Sequence, residues 1–131
     1  MSKKTFVIDG AGITGIASFY DEINRVFMGD EDWKIGASLD ALNDMFYGGY
    51  GAIAGDEPVL LVWRNMDDSR RALGREATRA FLEDKLSYPD RYDVVRIGRD
   101  LAELEGGGGQ TFFEIVLEII RDHPNIELIE A

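Results

Sequence analysis

The chain has 131 residues, 45% of them apolar, and carries 25 acidic against 14 basic side chains for a formal charge of −11. That length suits a single domain over residues 1–131 with one core, and the acidic excess argues against nucleic acid as a direct ligand, because phosphate binding needs clustered Lys and Arg. With no cysteine in the chain, disulfides, thiolate metal sites and cysteine nucleophiles are excluded and a reducing compartment is expected.

Met1-Ser2-Lys3-Lys4-Thr5 leads straight into the short β-rich run Thr5-Phe6-Val7-Ile8 without a signal-peptide core, and Asp9-Gly10 closes that run as a turn. No apolar stretch approaches the ~18 residues of a membrane span, so the cytoplasm is the expected location. Ile16, Phe19, Tyr20, Ile23, Val26 and Phe27 then recur at helical spacing, with Thr14 as the predicted N-cap. An acidic loop, Gly29 to Gly36, follows and holds Trp33.

Ser38 is placed to cap a short helix over residues 39–47, and Asp40 in its first turn suits the positive end of the helix dipole. At 3.6 residues per turn, Leu39, Leu42, Met45 and Phe46 share one side. Asp40, Asn43, Asp44 and Tyr47 share the other, a strip of two carboxylates, an amide and a phenol. The glycines from Gly48 to Gly51 end the helix.

Val59-Leu60-Leu61-Val62-Trp63, after Pro58, is a continuous apolar run that predicts a strand buried on both faces. Residues 67–86 read as helix with an interruption near Gly74. Between 87 and 105 a strand over Tyr92 to Ile97 competes with helical spacing of Val94, Ile97, Leu101 and Leu104, and the helix is preferred. Gly106 to Gly109 form a joint. Thr111 and Glu114 match a capping box at the head of a helix apolar over most of its surface, with Glu114, Glu118, Arg121 and Asp122 as its polar stripe. Ile126-Glu127-Leu128-Ile129 closes the chain as a third strand. Strands separated by helices imply parallel pairing, hence a small α/β sandwich.

Most chemistry-like patterns here have structural explanations. Gly10-Ala11-Gly12-Ile13-Thr14-Gly15 matches G-x-G-x-x-G between a strand and a helix. The acidic residue of a dinucleotide site should end a second strand, however, whereas Asp30 lies in a loop. A glycine-permitted turn is the preferred reading, with a small nucleotide-binding enzyme as a distant alternative. Gly106 to Gly109 lack the Lys-Ser/Thr of a phosphate loop. His123, the only histidine, is expected to meet the negative end of a helix dipole. Asp67-Asp68 and Arg70-Arg71 read as a solvated helix start with its charge pairs. No cofactor, metal or catalytic constellation is expected. Asp122 stands out because a carboxylate in a last helical turn faces the carbonyl end, and local rules are most often broken at functional positions.

Leu39-Asp40-Ala41-Leu42-Asn43-Asp44 with a Gly-containing turn at Gly48, Val59 to Arg64, and Val116 to Asp122 running into the last strand together resemble the barstar family, intracellular inhibitors of a secreted ribonuclease. The resemblance implies a three-stranded parallel sheet packed with helices, here with a mostly helical insertion at about residues 75–108. It also implies a binding face made of the short helix and the loop before it. On that resemblance Asp44 takes the place of a substrate phosphate in the nuclease site, Asp40 supports it, and Asp122 matches a glutamate that pairs with an active-site arginine. Trp33 meets the family's loop aromatic across a small shift, whereas Asn43 replaces the aromatic before the key aspartate. The expected function is therefore a non-enzymatic immunity protein of bacterial toxin–antitoxin type. It would be monomeric when free, binding a basic ribonuclease or nuclease toxin domain one to one. The alternative is a module of the same fold that regulates a basic partner other than a nuclease.

Overall fold

Three short runs of apolar and β-branched residues form one sheet in the computed structural model, which describes residues 3–131. Met1 and Ser2, where the leader-free reading of the N-terminus begins, lie outside the described residues. Strands β1 (Lys4–Asp9), β2 (Val59–Arg64) and β3 (Ile126–Glu130) pair in parallel in the order β1-β2-β3. Phe6 stands opposite Leu61, which stands opposite Leu128. The strand segments and the parallel pairing thus follow the sequence reading.

One expectation about β2 needs correction. Val59, Leu61 and Trp63 are fully buried, but Leu60 and Val62 are only half-buried. Their cross-strand neighbours Thr5, Val7, Glu127 and Ile129 are exposed. The apolar run therefore marks the central strand of a sheet covered on one face, not on both, and the partial burial of the second face comes from flanking strands rather than from a helix layer.

Helix α1 (Ile16–Phe27) starts one residue later than a Thr14 cap requires, with Gly15 at the cap position. Ser18 does the work instead: its hydroxyl accepts hydrogen bonds from the Thr14 and Gly15 backbone N–H groups at 2.8 and 3.1 Å. At α2 (Leu39–Phe46) the expected cap is present, with Ser38 Oγ accepting from Ala41 N–H at 3.2 Å. The stretch after β2 divides at Gly74 into α3 (Met66–Ala72) and α4 (Arg75–Leu86). Helix α5 (Val94–Glu105) takes the place of the competing strand, because Ile97 and Leu104 are the positions it buries. In α6 (Phe112–Arg121), Thr111 and Glu114 form the capping box, with bonds of 3.2 and 3.0 Å.

The core lies between the sheet and α1, α2 and α6. Phe19 stacks on Trp63 at 6.2 Å between ring centroids and meets the edge of Phe112 at 5.7 Å. Trp63 Nε1 donates to Ser69 Oγ at 2.9 Å, and that hydroxyl donates to the Gly10 carbonyl at 3.2 Å. A Cβ on Gly10 would lie 2.4 Å from the Arg64 carbonyl oxygen. The first glycine of the G-x-G-x-x-G pattern is therefore required by the close passage of the chain leaving β2. Residues 75–108 are mostly helical, as expected: Arg79 pairs with Glu105, and Arg75 donates to the Leu104 carbonyl at 2.8 Å. Phe81 seats them on Phe112 at 5.4 Å.

Candidate functional site

Helix α2 turns Leu42, Met45 and Phe46 into the core, which fixes what its other side presents. Asp40 and Asp44 are exposed and make no ion pair or side-chain hydrogen bond among the described residues. Tyr47 is 67% exposed. Like charges at i and i+4 repel in the free helix, so these carboxylates are left in a state that a cation would relieve.

An aromatic pair flanks the strip on the side of the acidic loop. The Trp33 ring lies 4.7 Å from Tyr50, and its Nε1 donates to the Glu31 carboxylate at 3.2 Å. Burial first, and the Asp44 carboxylate second, push the Tyr50 phenol above its ordinary pKa. Trp33, Tyr50 and Asp44 are thus parts of one neighbourhood, although loop and helix are separate in sequence. Gly48 shapes the turn between them: its φ is +82°, and the Gly55 backbone approaches to 2.3 Å of where a Cβ would sit. Gly55 N–H donates to the Gly48 carbonyl at 2.8 Å. Gly48 therefore acts through the backbone.

Asn43 departs from the expected strip. It is half-buried, and its Oδ1 accepts from His123 Nε2 at 2.8 Å. His123 is buried, and its ring meets Tyr47 edge-on at 4.6 Å between centroids. The expectation that His123 serves the helix dipole is correspondingly revised. Its backbone N–H does bond the Ile120 carbonyl at 3.1 Å, but its ring leaves the helix end to reach α2. Burial lowers its pKa against the opposing pull of Asp122. Nothing local in the sequence marks the bond to Asn43, since its partners are eighty positions apart.

The Asn43–His123 bond ties the end of α6 to α2, and Asp122, the exposed C-cap of α6, is the residue next to it. Among the described residues no group of three or more His, Asp or Glu side chains is arranged to hold a metal. What the arrangement offers is fixed negative charge with aromatic flanks. That suits charge-assisted hydrogen bonding to arginine or lysine, a matter of binding rather than of bond-making.

The barstar family profile, described as barstar (barnase inhibitor), matches residues 3–96. That span runs from β1 through α2 and β2 into the start of α5 and leaves α6 and β3 beyond it. No curated protein matches the chain. With the family's match over most of its length, and a three-stranded parallel sheet carrying six helices, the chain belongs to the barstar family, whose members are inhibitors rather than enzymes.

Proposed function

We propose that this protein is an intracellular inhibitor that enters the basic active-site cleft of a ribonuclease with the Asp40–Asp44 face of α2, one molecule to one. The observation that carries the reading is the pair of exposed carboxylates, without an ion pair or side-chain hydrogen bond among the described residues, on a helix whose opposite side is locked into the core. An enzyme that cleaves RNA must gather cationic side chains where charge develops on the phosphate, so its cleft is positive. Asp44 and Asp40 would take charge-assisted hydrogen bonds from those cations, with Asp122 joining from the end of α6. Trp33 and Tyr47 supply apolar contact around them, as aromatic side chains do at protein interfaces. The charge of −11 would accelerate encounter with a cationic enzyme.

The test is titration of the cognate ribonuclease, identified from the neighbouring gene or by retention on immobilised protein, with the natural chain and Asp44→Ala. Truncation should weaken inhibition by about 2–5 kcal/mol, a range that itself draws on the family's prototype complex, because it leaves a cation buried and unpaired. Equal potency of the two proteins would remove the proposed contact.

A further inference from the structure

Helices α4, α5 and α6 enclose a groove of about 650 Å³ whose lining includes Leu39, the first residue of α2, and Asp122. Its inner wall is apolar, with Phe81, Ile97 and Ile115, and exposed Asp100 and Glu103 stand along the α5 side. The lining carries two cations of the chain's own, Lys85 and Arg96, against five carboxylates, Asp93, Asp100, Glu103, Glu118 and Asp122. The Lys85 ammonium lies 4.2 Å from the Phe81 ring centroid and 5.0 Å from that of Tyr92. The Asp40 carboxylate bears on that same ammonium, opposing the downward pull of burial on its pKa. The groove mouth and the α2 strip are therefore neighbours.

Exposed apolar side chains also gather on this insertion. Tyr88, Tyr92 and Val95 are 43%, 38% and 71% exposed. On α2, by contrast, position 43 is an asparagine bonded inward to His123. Apolar contact beyond that of Tyr47 and Trp33 is available a short distance away, beside a second set of carboxylates.

We propose that the α4–α5 insertion is a second contact surface for the same ribonuclease, and that its groove receives a basic segment of that enzyme. Lys or Arg side chains lay their aliphatic stems against Ile97 and Ile115 and carry their charged heads to Asp100, Glu103 and Asp122. This inference rests on the inhibitor reading and adds to it where the partner's further cationic surface lies. The occupant is chosen by charge complementarity and by continuity with the α2 face, which an unrelated ligand would not explain.

The experiment measures association and dissociation rates of the ribonuclease that the natural chain retains and silences, against Tyr92→Ala, Asp100→Asn/Glu103→Gln and Asp44→Ala. All the altered groove side chains are exposed, and thermal melts check that the fold is kept. The two groove variants should each raise the dissociation rate about tenfold while changing association by less than about threefold, since contacts act on departure and distant charges on encounter. If Asp44→Ala accelerates dissociation and neither groove variant does, the groove is not a contact and the inhibitor reading stands. If none of the three does, the proposed α2 contact fails and takes this one with it. Retention of a protein that does not cleave RNA, released by the groove variants, would assign the groove to another class of basic partner and overturn the proposal.

Discussion

A carboxylate at the C-cap of a helix faces the last backbone carbonyls and is disfavoured there by ~0.3–1 kcal/mol. Asp122 holds that position in α6 and is exposed. Asp122→Asn should therefore raise the midpoint of urea unfolding slightly while weakening ribonuclease inhibition, a trade that an idle surface residue would not show. The neighbouring residue works in the opposite sense. His123 is held below its ordinary pKa of 6.5 by burial, so the unfolded chain binds its proton more readily than the folded one. Its contribution to stability is complete above pH 6.5 and is lost as pH falls through the lowered value. Unfolding midpoints measured between pH 7.5 and about 4.5 should fall more steeply for the natural chain than for His123→Gln, other titrating groups being common to both. The carboxylates of the strip were legible from helical spacing alone, because Leu39, Leu42 and Phe46 left them only one side of α2 to occupy. Asn43 was not. Its spacing fits the exposed strip, and only a histidine from the far end of the chain turns it inward.

Among the elements, the turn after β1 separates a motif from its usual meaning. Gly10 sits beneath the Arg64 and Asn65 carbonyls and beside Ser69, with no room for a methyl group. Gly10→Ala should cost about 1–3 kcal/mol in urea unfolding by overpacking that crossing. Calorimetric titration of the natural chain with dinucleotides should give no binding heat. A wild-type unfolding midpoint for the variant would show that the crossing is less tight than the backbone indicates. The strands, α2 with its serine cap and the Thr111–Glu114 capping box could be read in advance because each depends on residues within one turn of one another. The open face of the sheet could not. A run such as Leu60 to Val62 is equally apolar whether a helix or only neighbouring strands lie over it, and the choice is made by which side the connecting helices take.

At the scale of the whole molecule, the acidic excess acts as a long-range field. Raising ionic strength from about 0.01 to 0.15 M shortens the screening length from ~30 to ~8 Å. Association with a cationic ribonuclease should slow by about tenfold or more over that range, while dissociation changes little. A salt-independent association rate would show that the −11 charge serves solubility alone. The bond between Asn43 and His123 has a further consequence, for the chain as it is being made. Helix α2 leaves the ribosome long before α6 and β3, and β2 gains its second neighbour only when β3 arrives. Domains complete their folding only once all their pairing segments have emerged. A nascent chain stopped short of residue 123 would display the acidic helix without the anchor that orients it. On the proposed function, inhibition would then begin only with finished molecules.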